Sequence, residues 1–130
     1  MQFQNKVFVV TGGGSGIGRE LVLGLLQRGA AVAAVDLREE GLQETGALAD
    51  AGDRLSLHVA DVTDRDAVAG LPKAVTTHHG QVDGLINNAG VIQPFVDFKD
   101  LDFALIDRMI AVNLIGPVNV TKAFLPLLLD

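Results

Sequence analysis

The 130-residue sequence contains no cysteine, no tryptophan and no tyrosine. The absence of cysteine excludes disulfide bonds, thiol nucleophiles and cysteine-ligated metals within this sequence. The absence of tyrosine removes one of the side chains that enzymes use as proton donors. The three histidines, at positions 58, 78 and 79, lack the spacing of metal ligands, so no metal site is predicted.

Positive charge is also scarce, with 10 Lys and Arg against 16 Asp and Glu and a formal net charge of −6. Nucleic acids and anionic membrane surfaces bind clusters of Lys and Arg, so neither is expected as a partner. No apolar run approaches the roughly 18 residues of a membrane span. The apolar run at 7–10 is too short for a secretory signal, and a cytoplasmic location is expected.

Apolar residues make up 48% of the sequence, which predicts a single folded domain over 1–130. Short β-branched segments alternate with segments of helical periodicity. The alternation of strand and helix, repeated four times, predicts an α/β fold with a parallel sheet covered on both faces. Strands are predicted at 6–10, 31–35, 55–59 and 82–86, and helices at 16–28, 39–51, 63–79 and 102–128. A near capping box of Thr63 and Asp66 opens the third helix.

The sequence "TGGGSGIG", from Thr11 to Gly18, lies between the first predicted strand and the first predicted helix. Free N–H groups and the helix dipole favour an anion at this position, and glycines let a pyrophosphate approach the backbone. A P-loop would need Lys and then Ser or Thr after the last glycine, where this sequence has Arg19 and Glu20. The glycine spacing is G-x-x-x-G-x-G, at Gly12, Gly16 and Gly18. The alternative is a glycine-rich connector without a ligand.

Asp36 ends the second predicted strand and follows Gly18 by 18 residues. A carboxylate about 20 residues beyond such glycines accepts hydrogen bonds from the adenosine ribose, although Asp is also common in turns. Its charge disfavours a 2′-phosphate, which predicts NAD rather than NADP as cofactor. Arg38 would partly offset the charge of Asp36 if its side chain faced the 2′-phosphate of NADP. We interpret Arg38 instead as a solvated charge at the start of the next helix.

With three further motifs, these residues resemble the short-chain dehydrogenase/reductase family. "DVT" at residues 61–63 follows the third predicted strand, "NNAG" at 87–90 follows the fourth, and "VNLIG" at 112–116 lies in the last helix. Each motif alone also fits a turn or an ordinary helix residue, but the four occur in the family's order. The resemblance implies a Rossmann-type doubly wound sheet with strand order 3-2-1-4. It also implies hydride transfer between NAD(H) and a small-molecule carbonyl or secondary alcohol.

The resemblance assigns roles to individual positions. Asp61 and Val62 would flank the adenine, and the segment from Asn88 to Gly90 would line the nicotinamide-side ribose. Asn113 matches the asparagine of the family's catalytic tetrad. The full set of implied cofactor-binding residues is Gly12, Gly14, Ser15, Gly16, Ile17, Gly18, Asp36, Leu37, Asp61, Val62, Asn88, Ala89 and Gly90.

The sequence also departs from the family's pattern. The family's Tyr-x-x-x-Lys motif and its preceding Ser are missing, and the sequence stops where a fifth strand is expected. One hypothesis is therefore an NAD-dependent oxidoreductase of which this is the N-terminal portion. The alternative is a truncated dinucleotide-binding module without turnover, and an assembly fragment is a third possibility. An uncovered fourth strand and last helix would favour a homo-oligomer.

Pro117 follows Asn113 by four residues inside the last predicted helix. Proline has no N–H to donate to the Asn113 carbonyl, so a kink is predicted at 113–117. In the family, that carbonyl holds a water of the proton relay. The alternative is a kink that only fits the helix to the sheet.

Overall fold

A computed structural model describes residues 2–130 of the chain. Its centre is a parallel sheet of four strands: β1 (Val7–Thr11), β2 (Ala31–Asp36), β3 (Leu55–Val59) and β4 (Gly84–Ile86). The strands lie in the order β3-β2-β1-β4, and each neighbouring pair is parallel. The α/β fold and the strand order predicted from the sequence are confirmed.

Helices cover both faces of the sheet. They are α1 (Gly16–Gln27), α2 (Glu39–Ala49), α3 (Arg65–Ala69), α4 (Leu71–His79), α5 (Phe103–Ile110) and α6 (Gly116–Leu128). A π-helical turn, Ala111–Ile115, joins α5 to α6, and short 3₁₀ turns lie at Gly52–Arg54 and Phe98–Asp100. The four predicted helical regions are confirmed; the third is divided into α3 and α4, and the fourth is continuous but contains the π-helical turn.

The predicted start of the third helix was wrong. Asp64, not Thr63, caps α3: its carboxylate accepts hydrogen bonds from the N–H groups of Asp66 at 3.0 Å and Ala67 at 3.1 Å. The Thr63 hydroxyl instead donates to the Asp61 carboxylate. Pro72, in the first turn of α4, has no N–H to continue the helix from α3, which accounts for the division.

The core consists of two clusters, one on each face of the sheet. Alternate residues of a strand point to opposite faces, so Val9 and Val35 belong to one cluster while Val10 and Ala34 belong to the other. Because β1 and the middle of β2 are buried on both faces, they form continuous apolar runs. The helical residues that complete the first cluster include Val68, Val75, Val112, Val120 and Phe124; those of the second include Val22, Leu25, Leu26 and Leu42.

β4 is shorter than the predicted strand at 82–86. Asp83 uses its carboxylate to accept the N–H of Val7 at 2.8 Å, while its own N–H donates to the Val7 carbonyl. Regular strand pairing therefore starts at Gly84, whose missing side chain leaves room for the Phe8 ring. β4 pairs only with β1 among the described residues and forms one edge of the sheet.

The continuous helical segment Phe103–Leu128 is long and apolar enough to cross a membrane by length and composition. The expectation from the sequence concerned uninterrupted apolar runs, and polar residues such as Arg108 and Lys122 interrupt this segment. In the structure Val112, Val120 and Phe124 of this segment are buried in the core. The segment therefore serves as a layer of the α/β fold.

Candidate functional site

A cleft of about 430 Å³ opens at the carboxyl ends of the strands. Eleven of the fourteen predicted site residues line it: Gly12, Ser15, Gly16, Ile17, Asp36, Leu37, Asp61, Val62, Asn88, Ala89 and Gly90. The other lining residues are Val35, Arg38, Ala60, Val91, Arg108 and Val112. Gly14, Gly18 and Asn113 are not among the residues that line the cleft. In open parallel sheets, ligands bind in a crevice at this end of the strands.

The glycine-rich segment turns the chain from β1 into α1. Gly12 has a φ of +71° and Gly16 a φ of +54°, a left-handed backbone that favours glycine. A side chain on Gly18 would collide with the Gly12 carbonyl, so the helix packs this closely only because residue 18 is glycine. The Ser15 side chain makes no cap hydrogen bond to α1, which leaves the first N–H groups of the helix as donors toward the cleft.

The Asp36 carboxylate lies at the end of β2 and joins two parts of the cleft. Its Oδ2 accepts the N–H of Gly14 at 2.9 Å, and its Oδ1 accepts the N–H of Arg38 at 3.2 Å. Each carboxylate oxygen keeps a further acceptor position, which suits ribose hydroxyl groups. Arg38 occupies the N-cap position of α2 with an exposed side chain, in agreement with its interpretation as a helix-start charge, but it also lines the cleft.

The Asp61 carboxylate is held by the threonine of its own motif. Its Oδ1 accepts the Thr63 hydroxyl at 2.7 Å and the Thr63 N–H at 2.9 Å. These two bonds hold the pKa of the Asp61 carboxyl below its usual value, with a smaller contribution from Arg108, whose Nη1 lies 4.0 Å from Oδ2. The sequence does not indicate Arg108 as a site residue, because no local pattern links a residue of α5 to the end of β3.

The "NNAG" segment is fixed to β1 by Thr11, a second residue that sequence analysis missed. The buried Thr11 hydroxyl oxygen accepts the N–H groups of Asn88 and Ala89, each at 3.0 Å. The Asn88 side-chain amide donates to the Gly12 carbonyl at 3.4 Å. The glycine-rich loop and this segment therefore form adjacent walls of one cleft.

Asn113 binds the main chain of Val91 twice. Its Oδ1 accepts the Val91 N–H at 2.8 Å, and its Nδ2 donates to the Val91 carbonyl at 2.7 Å.

The predicted distortion of the helix is present, but as the π turn Ala111–Ile115, in which the Gly116 N–H donates to the Ala111 carbonyl. It therefore begins two residues before the predicted kink. The proposal that the Asn113 carbonyl binds a water stays a prediction.

The three histidines lie away from the cleft. The Ser56 hydroxyl oxygen lies 2.7 Å from His58 Nε2 and 2.8 Å from His79 Nε2, and the rings of His78 and His79 are 4.3 Å apart. Burial lowers the pKa of His79 to about 4 and also lowers that of His58, with repulsion from His78 adding to both. Within residues 2–130, no group of three or more ligating side chains is arranged to hold a metal ion.

A glycine-rich turn after β1, an acidic residue at the end of β2 and strand order 3-2-1-4 together define a Rossmann-type dinucleotide-binding domain. The model of the short chain dehydrogenase family matches residues 6–130. The chain belongs to this family.

Individual relatives agree with this assignment. The chain is 39% identical over 124 residues to short-chain dehydrogenase reductase 3b of Arabidopsis thaliana, covering 95% of this chain and 46% of that protein. The structure of an NAD⁺-bound xylitol dehydrogenase superposes with a TM-score of 0.89 at 34% identity, over 95% of this chain and 48% of the other. A 3-ketoacyl-(acyl-carrier-protein) reductase from Brucella melitensis, complexed with NADH, gives a TM-score of 0.91 at 28% identity, over 96% and 51%. The chain spans about half the length of these relatives.

Proposed function

We propose that the chain forms the dinucleotide-binding part of an NAD-dependent oxidoreductase that interconverts small-molecule carbonyls and secondary alcohols. The observation that carries the proposal is the Asp36 carboxylate, which lines the cleft while bonded to the Gly14 N–H of the glycine-rich loop. A carboxylate suited to ribose hydroxyls thus lies beside a loop suited to a pyrophosphate. The family match and the NAD⁺-bound and NADH-bound structural relatives support the same cofactor.

The residues present fit such a cofactor. The first N–H groups of α1 would bind the pyrophosphate, and the left-handed Gly16 leaves open space where a side chain would stand. Asp36 would accept the adenosine ribose hydroxyls, and Asp61 would accept the adenine amino group. The segment Asn88–Gly90 would line the second ribose. When bound, the nicotinamide supplies the hydride chemistry, while the protein orients it.

Titration of the protein with NAD⁺ by calorimetry tests the proposal. We expect saturable binding that Asp36→Ala weakens and that Asp53→Ala leaves unchanged. Asp53 is a matched control because its exposed carboxylate lies in the 3₁₀ turn Gly52–Arg54, outside the residues that line the cleft. Absence of NAD⁺ binding, or equal effects of the two variants, would contradict the proposal.

A second candidate function is cofactor binding without turnover. It is favoured by one observation: the 130 residues contain no tyrosine to act as the family's proton donor. General acid catalysis contributes about 10²- to 10⁴-fold to a rate, so its loss leaves binding intact but suppresses reaction. NADH oxidation by the purified 130-residue chain, assayed with a panel of ketones, separates the two functions. We expect none, and robust oxidation would refute the binding-only function for this chain.

A further inference from the structure

The glycine-rich loop needs external support to keep one conformation. Glycine loses more conformational freedom on folding than any other residue, and Gly12, Gly13 and Gly14 follow one another in this loop. The main-chain N–H groups at 13 and 14 are held from the sheet side: Gly13 donates to the Val35 carbonyl at 3.1 Å and Gly14 to the Asp36 carboxylate at 2.9 Å. Their carbonyls face the other way, toward α2.

Thr45 of α2 supports the loop at Gly13. Its side chain is fully buried, and its hydroxyl donates to the Gly13 carbonyl at 2.8 Å, with the Gly41 carbonyl as a longer alternative acceptor at 3.1 Å. The same hydroxyl oxygen accepts the Nε–H of Arg19 at 3.0 Å. A polar group at such depth is stabilised only by these bonds, so its position is closely defined.

Arg19 of α1 supports the loop at Gly14. Its Nη2 donates to the Gly14 carbonyl at 2.6 Å and also lies within bonding distance of the Gly41 carbonyl, at 3.2 Å, and the Glu44 carboxylate, at 3.0 Å. Arginine suits this position because its planar group presents several donors in a fixed geometry. Neither Arg19 nor Thr45 lines the cleft, so both act on a ligand only through the loop.

The close approach of α2 to the loop depends on the glycine at position 41. A side chain on Gly41 would place its Cβ 2.7 Å from the Gly14 carbonyl oxygen, which is closer than a real Cβ contact. α2 therefore reaches the loop only because residue 41 is glycine. Without this approach, Thr45 would lie too far away to bond the Gly13 carbonyl, and Arg19 of α1 would lose its contacts with Thr45 and with the Gly41 carbonyl.

We propose that Arg19 and Thr45 are positioning residues for pyrophosphate binding, since together they hold the Gly13 and Gly14 peptides in the orientation that presents the start of α1 to the cleft. The inference rests on the proposed function. It predicts that loss of the Thr45 hydroxyl weakens ligands that contain a pyrophosphate while sparing adenosine, which would contact Asp36 and Asp61 instead.

The test compares Thr45→Val, which keeps the shape and removes the hydroxyl, with Thr45→Ser, which keeps the hydroxyl. Adenosine and ADP are titrated into each protein and followed by NMR chemical shifts. We expect Thr45→Val to lower the ADP affinity about tenfold, the effect of one lost hydrogen bond of about 1.4 kcal/mol. The adenosine affinity should stay within about twofold, and Thr45→Ser should restore ADP binding.

If Thr45→Val does not fold, Arg19→Gln provides the same comparison, with Arg28→Gln as its matched control. Arg28 follows α1, and its guanidinium bonds only to the Gly24 carbonyl among the described residues. Unchanged ADP binding in Thr45→Val, or in Arg19→Gln where that variant is used, would overturn the inference, as would equal losses for adenosine and ADP. If the wild-type protein bound neither ligand, the proposed function itself would fail, which separates the two outcomes.

Discussion

The Asp36 carboxylate accepts the Gly14 N–H at 2.9 Å, so the acidic residue that ends β2 and the glycine-rich loop after β1 form one hydrogen-bonded unit. A Cβ on residue 14 would lie 2.9 Å from the same carboxylate oxygen, so a side chain there would displace the Asp36 carboxylate. The bond aligns the group proposed for the ribose with the loop proposed for the pyrophosphate.

Gly41→Ala should destabilise the protein, because the new Cβ would lie 2.7 Å from the Gly14 carbonyl oxygen. Overpacking of this kind costs about 1–3 kcal/mol. Gly46→Ala is the matched control: it lies in the same helix, its Cβ would make an ordinary contact of 3.4 Å with Leu57, and alanine favours helix. Urea denaturation should therefore show a loss only for Gly41→Ala, and equal stabilities of the two variants would contradict the packing described.

Asn113→Ala should release the main chain of Val91 and lower the free energy of unfolding by about 1 kcal/mol, since two hydrogen bonds to an exposed side chain are lost. Asn113→Asp keeps the acceptor for the Val91 N–H but removes the donor to its carbonyl. Because its second oxygen would repel the Val91 carbonyl, it should destabilise the protein at least as much as alanine. Hydrogen exchange of the Val91 amide checks the assignment directly, and unchanged protection in Asn113→Ala would contradict it.

The stability of the protein should fall as the pH falls from about 6.5 toward 4. The pKa values of His58 and His79 are lowered in the folded state, so protonation favours the unfolded chain once the pH drops below the ordinary value of 6.5. The lowered pKa of Asp61 acts in the same direction, but only below its ordinary value of 3.8. The contribution of these three groups to the free energy of unfolding is therefore fully present above pH 6.5.

Urea denaturation at pH 7.5 and pH 5 measures this dependence. His79→Gln should reduce the difference between the two pH values, because the variant removes the group whose pKa is lowered to about 4. His78→Gln should reduce the difference less, because it removes only the repulsion that adds to the effect of burial on the pKa values of His58 and His79. A pH dependence that His79→Gln leaves unchanged would show that other groups cause it.

An oligomer is predicted from the exposed apolar surface of the last helical segment. Leu114 is 59% exposed and Val118 is 53% exposed, on a helix whose opposite side is buried in the core. Leu114→Lys should shift light-scattering masses toward the monomer. Leu48→Lys, at a 63% exposed leucine of α2, is the matched control and should have no such effect. A wild-type protein that stays monomeric at all concentrations would contradict the prediction.

The positions of the strands followed from the sequence, because strands buried on both faces appear as short continuous apolar runs such as 7–10 and 31–35. The strand order followed from the resemblance to the family, since apolar runs alone do not define it. The α3 cap was misassigned because Asp64 and Thr63 are neighbours and both are good cap residues. Pro117 predicted a distortion of the last helix, but its position did not show that the distortion is a π turn rather than a kink. Thr11, Thr45 and Arg108 were missed because these partners are 26 to 78 residues away in sequence, and no local pattern indicates such contacts.

Cofactor preference is the most direct test of the account, since it depends on the charge of Asp36 at the cleft. A 2′-phosphate about 4 Å from this carboxylate would cost about 4 kcal/mol at an effective dielectric constant of about 20, and solvent reduces that figure. Calorimetric titration of the wild-type protein with NADH and NADPH should therefore give at least a tenfold preference for NADH, equivalent to about 1.4 kcal/mol. Asp36→Ala should reduce the preference. Equal affinities for the two cofactors in the wild-type protein would show that Arg38 binds the phosphate and that the role assigned to Asp36 is wrong.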